Sequence, residues 1–284
     1  MRVARKIALI RTIRLTVHAL ALVGVLVVPF DRWALLVAGV GYVLSMLGVT
    51  VGYHRYFAHL AFKTSRWFQL VLALLAISTL QRGVLWWAAV HRHHHRRSDR
   101  DDDFHSPRHG FWHAHFSWLD SPRVHALGHG LVADLARFPE LVLLDRIYYV
   151  PALLWGLGCA ALGGLVGALD PEGGPRALQF FVYGFLVRTV LVWHATFAIN
   201  SLAHVFGTRR YATDDDSRNS LLLGILALGE GWHNNHHRCP SAARNGFFPG
   251  EPDLSYAVIR GLAALGLVWD VRPVPRHILE EGRR

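Results

Sequence analysis

Four long apolar stretches, nearly free of charged residues, run through the chain. They cover residues 15–30, 33–53, 147–169 and 177–200. The first is interrupted by His18, and the fourth by Arg188 and His194. Because a helix needs about 20 apolar residues to cross a bilayer, each stretch predicts a transmembrane helix. Short turn-forming links at 29–32 and 170–175 join the stretches in pairs, so the pattern predicts two helical hairpins.

Basic residues predict how these helices are oriented. Five of them precede the first stretch: Arg2, Arg5, Lys6, Arg11 and Arg14. Segments rich in Arg and Lys remain in the cytoplasm, so the N-terminus and, after two hairpins, the C-terminus are expected there. We therefore predict a single domain over residues 1–284. It is an all-α integral membrane protein with four transmembrane helices and a cytoplasmic helical cap at 54–146 and 201–284.

A fifth apolar run, residues 67–81, is too short to cross a bilayer. If it crossed, the histidines on its two sides would lie on opposite faces of the membrane. We predict a buried or interfacial helix here. The first apolar run leads directly into the second without a small-residue cleavage site, so no cleavable signal peptide is expected.

Composition narrows the class of protein further. The chain is 52% hydrophobic with a mean hydropathy of +0.25, which excludes disorder, and its two cysteines exclude a disulfide-stapled fold. A net charge of +10 suits anionic lipid, whereas four spans without an aromatic and basic platform argue against nucleic acid. The unusual feature is 19 histidines, ten of them between His54 and His115.

Ten histidines lie in three boxes and one further pair that the predicted topology brings to one membrane face. His93 points away from the other histidines of its box, which leaves nine. The boxes read His54-Arg-Tyr-Phe-Ala-His59, His91-Arg-His-His-His95 and His233-Asn-Asn-His-His237, and Asn200 and His204 form a further i, i+4 pair. Positions i, i+3 and i+4 share a helix face, so the second and third boxes each present three imidazoles together. The first box is different, because five residues turn an α-helix by a net angle of about 140°. Either the helix bends there or its two histidines serve different metals.

Neutral imidazole is the commonest side-chain metal ligand. Nine imidazoles are too many for one ion, since zinc for example takes four ligands. With a water held by Asn200, they supply two ions with four or five ligands each. Imidazole suits zinc, copper, iron and nickel alike, so the residues leave the metal open.

These boxes resemble the signature of the membrane fatty-acyl desaturase family, close to its stearoyl-CoA desaturase-like branch and bacterial delta-9 members. Sequence segments near the boxes are also similar to this family: Asp-Phe-His-Ser-Pro from 103, Ile-Asn-Ser-Leu-Ala-His from 199 and Gly-Glu-Gly-Trp-His from 229. The resemblance covers about residues 15–275. It implies two Fe2+ ions bound by His54, His59, His91, His94, His95, His204, His233, His236 and His237, with Asn200 acting through water. It also implies oxygen-dependent desaturation of a saturated long-chain acyl group at carbon 9.

Several further residues are candidates for the surroundings of such a site. Aromatic side chains near the boxes are expected to line an apolar slot for the acyl chain: Trp86, Trp87, Trp112, Trp193 and Phe197. Glu230 lies three residues before a box histidine and is expected to orient a ligand imidazole, and the runs 101–103 and 214–216 offer further carboxylates. Arg100, Arg108 and Arg123 are candidates to meet a phosphate. Acyl-CoA desaturases of the animal type have an Arg-Asp pair directly before the second box that contributes to headgroup recognition, whereas this chain has Ala89 and Val90 there. The sequence therefore does not decide whether the acyl group is carried by CoA, by a carrier protein or by a lipid.

No nucleotide-binding glycine motif or cysteine cluster suggests a fused redox module. Electrons are therefore expected from a separate donor, such as a ferredoxin or a b-type cytochrome with its reductase, docking on the basic face. The nearest alternative is a di-iron membrane hydroxylase or alkane monooxygenase on the same scaffold. A metal transporter is a weaker alternative, because its ligands should lie within the spans.

Overall fold

The computed structural model describes residues 2–30, 32–170 and 176–283, and its regular structure is almost entirely helical. The α-helices are α1 (Arg2–Val27), α2 (Arg32–Leu47), α3 (Arg66–Ile77), α4 (Val84–Arg97), α5 (Phe111–His115), α6 (Pro122–His125), α7 (Ala133–Ala136), α8 (Pro139–Arg146), α9 (Tyr149–Leu169), α10 (Ala177–Phe181), α11 (Arg188–Ser201), α12 (Leu221–Leu226), α13 (His233–Arg238), α14 (Leu254–Ala264) and α15 (Arg276–Glu281). Two π-helical segments, Gly48–Ala58 and Val182–Val187, continue α2 and α10. Single 3₁₀ turns occupy Pro107–His109, Ser117–Asp120, His129–Val132 and Leu202–His204.

The strands form one small antiparallel ribbon. β1 (Lys63–Thr64) pairs with β2 (Val268–Trp269), with Lys63 opposite Trp269. This ribbon ties the segment after the first histidine box to the C-terminal part of the chain. It is a minor addition to an otherwise helical fold.

Among the described residues, four helical stretches are long and apolar enough to cross a membrane. They are Val3–Val27, Arg32–Ala58, Tyr149–Leu169 and Ala177–His204. The predicted number of spanning helices and the helical fold class are therefore confirmed. Two boundaries differ from the apolar runs, because α1 includes the basic N-terminal residues and the fourth stretch continues to His204. The turn predicted at 170–175 lies, from 171 onward, outside the described residues.

The spans differ in how much of their surface is covered. The fourth is the most buried, because 61% of its most apolar 18-residue segment lies inside the protein. It packs against the other three spans. The first and third each bury 22% of theirs, and they present large apolar side chains such as Leu26 and Leu157 outward. An apolar surface of this kind is stable against lipid but not against water.

The fifth apolar run forms α3, which is only 12 residues long and so is too short to cross a bilayer, as predicted. It packs against the π-helical segment Gly48–Ala58. The contact depends on glycine, because a Cβ at Gly48 would lie 2.8 Å from the carbonyl of Leu75, and one at Gly52 would lie 3.1 Å from that of Leu72. This close approach anchors the segment that carries the first histidine box.

Candidate metal centre

The first histidine box lies at the end of the π-helical segment, and this winding brings its two histidines together. A π-helix is bonded from residue i to i+5, and the His59 N–H donates to the His54 carbonyl at 3.1 Å. The two imidazole centroids are 4.8 Å apart. The five-residue spacing left open either a local change of helix geometry or two histidines that serve different metals. The structure shows the local change of helix geometry.

The nine predicted ligand histidines form two adjacent groups. The first contains His54, His59, His91, His95 and His236, and the second contains His94, His204, His233 and His237. Within each group the candidate ligand atoms all lie within 4.8 Å of one another. The trios of the second and third boxes share a helix face as expected, but each trio divides between the two groups. His93 belongs to neither, and its Nε2 is 3.0 Å from the Asp102 carbonyl.

Nitrogen–nitrogen distances in these groups fit metal coordination. Nε2 of His91 lies 2.8 Å from that of His59 and 3.0 Å from that of His95, and Nε2 of His236 lies 3.0 Å from that of His54. In the second group the Nε2 atoms of His204 and His233 are 3.0 Å apart. Two nitrogens bound at about 2.1 Å to one ion at right angles would lie roughly 3.0 Å apart.

Unpaired ring nitrogens give a second test of the fit. Within the described parts of the chain, Nε2 of His94 and Nε2 of His237 are buried without a hydrogen-bond partner. Their Nδ1 atoms are held by carboxylates, so each ring presents its free nitrogen to the second group. A buried polar atom without a partner is costly, and a bound metal ion would remove that cost.

Four carboxylates contact the outer nitrogens of four of the box histidines. Glu230 Oε2 lies 2.6 Å from Nδ1 of His54, and Asp103 Oδ2 lies 2.9 Å from Nδ1 of His94. The other two pairs are Asp99 with His204 at 2.8 Å and Asp215 with His237 at 2.6 Å. Such contacts orient an imidazole and raise its basicity toward a metal.

Three of these carboxylates stand among the sequence candidates, Glu230 and one from each acidic run. Asp99 was missed, because nothing in the sequence connects it with His204, 105 residues away. Its only signal is its position just after the second box. Asp99 also accepts a hydrogen bond from the Asp216 N–H at 2.8 Å, so it links two loops around the second group.

Burial keeps most of these imidazoles neutral. It lowers the pKa well below the usual range, and the neighbouring histidines lower it further, for His59, His91, His95, His233 and His236. The pKa of His237 falls to about 4, since burial outweighs the attraction of Asp215. His94 is the exception, because Asp103 outweighs burial and raises its pKa. A neutral imidazole has the free lone pair that metal binding needs.

The carboxylates are ionised. Burial alone would raise the pKa of each, but the histidine contacts and backbone hydrogen bonds hold the pKa of Asp99, Asp103 and Asp215 far below its usual range. His54 and Arg55 likewise lower the pKa of Glu230. The two groups therefore combine imidazole donors with a surrounding shell of negative charge, which favours cations.

Two cavities meet beside the histidine groups. The larger, of about 810 Å³ with its open mouth, is lined by Trp86, Trp87, Trp193 and Phe197, four of the five predicted aromatics. The smaller, of about 460 Å³, is lined by apolar residues and by histidines of both groups. Trp87, His91, Thr196 and Asn200 line both cavities, so the cavities adjoin there.

Trp112, the fifth predicted aromatic, does not line either cavity. Its side chain is 65% exposed on α5. Asn200 lines both cavities where they adjoin, beside His91. The structure thus brings together all nine predicted ligand histidines, Asn200, Glu230 and four of the five aromatics.

Comparisons with known proteins agree with this arrangement. The family model for fatty acid desaturases matches residues 31–246. The chain is 34% identical over 263 residues to an sn-2 palmitoyl-lipid 9-desaturase of Nostoc sp. (strain 36). The aligned region covers 91% of this chain and 87% of the relative. The chain is 36% identical over 262 residues to delta-9 acyl-lipid desaturase 2 of Arabidopsis thaliana, covering 90% and 80%.

A third relative is named for a different activity. The hex-5-enoyl-[acyl-carrier protein] acetylenase of Moorena producens (strain JHB) is 36% identical over 254 residues, covering 84% of this chain and 76% of the relative. The predicted class of enzyme, a fatty-acyl desaturase in a membrane, is confirmed by these matches. With a family model matched over most of its length and histidines gathered into two metal-binding groups, the chain belongs to the fatty acid desaturase family.

Proposed function

We propose that this protein catalyses the oxygen-dependent desaturation of a saturated long-chain acyl group at carbon 9, using a di-iron centre. The observation that carries the proposal is that histidines of both groups line the smaller cavity, which adjoins the larger one at His91. A chain that passes through both cavities presents a methylene from its middle, rather than its end, to the histidines. The Nostoc and Arabidopsis relatives are named as desaturases that act at carbon 9, which supports the position.

The nine histidines are the proposed ligands, five for one iron and four for the other. Iron, when bound, supplies the redox chemistry with dioxygen that no side chain provides for an unactivated methylene. Overall, dioxygen accepts two protons and two electrons, as two hydrogen atoms, from adjacent methylenes, and two further electrons and two protons from elsewhere. The products are one carbon–carbon double bond and two waters.

The protein's own residues position the acyl chain. The indole of Trp193 is fixed by its Nε1–H, which donates to the Thr79 carbonyl at 2.8 Å. Gln81 Nε2 donates to Thr196 Oγ1 at 3.1 Å, which ties the loop before α4 to the fourth span. Methylenes along a chain differ only in location, so rigid walls of this kind select which one reacts. Asn200 is proposed to hold a metal-bound water at the junction.

The remaining assignments follow from the topology. We propose one domain whose termini and histidine boxes face the cytoplasm, with the basic N-terminal end of α1 on the same side. Electrons are proposed to come from a separate donor, a ferredoxin or a b-type cytochrome with its reductase. The basic cytoplasmic surface suits an acidic partner.

The test is a fatty-acid profile of a desaturase-deficient bacterial host that expresses this chain, with double-bond positions assigned by mass spectrometry. We expect new acids unsaturated at carbon 9 that vanish with His94→Ala. His93→Ala is the matched control, because His93 lies in the same box but in neither group, and it should retain the product. Hydroxylated acids instead of alkenes would replace the proposal by the hydroxylase alternative.

A second measurement covers the case in which the host lacks a suitable electron donor. Purified protein from iron-replete cells should contain about two irons per chain, the number that nine ligands and one water can hold. His94→Ala should lower that number, whereas His93→Ala should not. Tightly bound zinc without iron would contradict the proposed chemistry.

A further inference from the structure

The fourth span contains a buried charge that takes no part in the metal centre. Arg188 interrupts the apolar sequence of this span, and its side chain is completely buried. It lines neither cavity, and among the described residues no carboxylate forms an ion pair with it. A charge inside a membrane protein is costly to bury, so an arginine at such a position is a candidate for function.

The surroundings of Arg188 stabilise its charge without an anion. The guanidinium carbon lies 4.7 Å from the ring centroid of Trp155 on α9 and 5.8 Å from that of Phe185. Aromatic faces attract a cation, and the attraction is stronger where water is excluded. Nε of Arg188 donates to the Gly184 carbonyl at 3.3 Å. These contacts fix the guanidinium between the third and fourth spans.

A further nitrogen of Arg188 contacts the end of α3. Nη1 donates to the carbonyl of Ser78 at 3.2 Å, and Ser78 is the residue that caps α3 at its C-terminus. The last carbonyls of a helix lack backbone partners and carry partial negative charge, which favours a cation. The last turn of α3 contains no basic residue of its own. Arg188 therefore supplies this charge from a different helix.

The loop between α3 and α4 runs beside the fourth span. Two more side chains of the span hold it, because Trp193 Nε1 donates to the Thr79 carbonyl and Thr196 Oγ1 accepts from Gln81 Nε2. These two residues lie five and eight positions beyond Arg188, or about 7.5 and 12 Å further along the helix. Three successive contacts thus attach the loop to the span, and Arg188 makes the first of them.

This loop has a strained backbone and forms part of the wall of the larger cavity. Leu80 and Arg82 have φ values of 59° and 79°, a conformation that residues other than glycine seldom adopt. Such a conformation persists only where the surrounding contacts enforce it. Leu80, Gln81 and Arg82 all line the larger cavity, which His91 lines as well. A contact that holds the loop therefore also holds the cavity wall.

We propose that Arg188 is a positioning residue: it fixes the loop between α3 and α4, and this loop sets which methylene of the acyl chain reaches the histidines. The inference rests on the proposed function, and it adds a specificity determinant that does not touch the substrate. Methylenes differ only in location, so a small displacement of the wall changes which of them reacts. Without Arg188, the Ser78 carbonyl loses its partner and the strained residues after it relax.

The first experiment measures how firmly the loop is held, by hydrogen–deuterium exchange of the iron-loaded enzyme in lipid nanodiscs. The N–H groups of Thr79 and Leu80 are bonded to the last turn of α3, at 3.2 and 2.9 Å, so they report on its end. Arg188→Met keeps an apolar side chain but removes the hydrogen bonds. Loss of a bond from a charged group predicts exchange about tenfold faster or more at these two positions. Exchange in the other spans should stay at the wild-type rate.

The second experiment measures the position of the double bond in the same variants, by the mass spectrometry used for the desaturation test. With Arg188→Met, isomers displaced by one or more carbons should reach about a tenth of the product or more, because a small misplacement changes relative rates strongly. A hydroxylated product would report the position of oxidation in the same way.

The matched control is Thr189→Val. Thr189 is the next residue of the span and is equally buried, and within the described residues its hydroxyl has no hydrogen-bond partner. This variant should keep the wild-type exchange in the loop and the wild-type product. If Arg188→Met does not fold, Arg188→Lys replaces it. Lysine keeps a charge and a donor but lacks the planar fork, so exchange should rise several-fold and the product should shift less.

Three results would overturn the proposal. One is loop exchange that the Arg188 variants leave at the wild-type rate. The second is faster exchange spread evenly over all the spans, which would show a general loss of stability. The third is a loop that exchanges faster while the product position stays unchanged. The exchange measurement needs no turnover or electron donor, so its failure is distinct from a failure of the desaturation test.

Discussion

Replacing Asp215 by asparagine tests whether the carboxylates around the histidine groups control metal binding. Both oxygens of Asp215 are used as acceptors. Oδ2 lies 2.6 Å from Nδ1 of His237, while Oδ1 accepts from the Thr213 hydroxyl and the Ser217 N–H, both at 3.0 Å. An asparagine has one acceptor oxygen, so its NH2 group must face one of these donors.

Either orientation of the new amide weakens the second group. If the NH2 faces His237, the imidazole must accept at Nδ1 and carry its proton on Nε2, the nitrogen proposed to bind metal. If the NH2 faces Ser217, the loop around Asp215 loses two hydrogen bonds. Loss of such a partner costs about 10–100-fold in metal affinity, or about 1.4–2.7 kcal/mol.

The assay is competition between the purified enzyme and a chelator of known affinity, followed by metal analysis. Asp215→Asn should release about half of the metal at a chelator concentration that leaves the wild type loaded, because only the second group is affected. Asp214→Asn is the matched control, since Asp214 is exposed one residue away. Equal retention of metal by Asp215→Asn and Asp214→Asn would refute the reasoning.

Three other changes have defined outcomes. Glu230→Gln should weaken metal binding by the five-histidine group about 10–100-fold in the same titration, because Glu230 contacts Nδ1 of His54 at 2.6 Å; wild-type affinity would contradict this. Trp193→Ala enlarges the cavity and removes the bond to Thr79, so the product profile should shift in chain length or double-bond position, and an unchanged profile by mass spectrometry would exclude Trp193 from substrate positioning. In metal-free protein the buried histidines have lowered pKa values and stay neutral, whereas the unfolded chain takes up protons below about pH 6.5. The thermal unfolding midpoint should therefore decrease as the pH is lowered from about 7.5 to about 5.5, although His94 contributes in the opposite direction. A midpoint that does not change over this pH range would contradict the prediction.

The spans, the boxes and the enzyme class were accessible from the sequence because they depend on local properties. The length of an apolar run decides whether a helix can cross a bilayer, and a spacing of three or four residues decides whether side chains share an α-helical face. The same reasoning left two arrangements open at His54 and His59, because α-helical winding would point the two side chains apart. The π-helical segment, held by Gly48 and Gly52 against α3, changes which residues align.

By itself, then, the sequence determined how many helices span, which nine histidines gather and which family the chain belongs to. Only the tertiary structure decided how the histidines divide into groups of five and four, because that depends on pairs such as His54 and His236, 182 residues apart. It likewise decided which carboxylate holds which imidazole, as for Asp99 and His204, and that Arg188 contacts the end of α3. Distances between atoms remote along the chain are set by packing, and no local pattern of residues contains them.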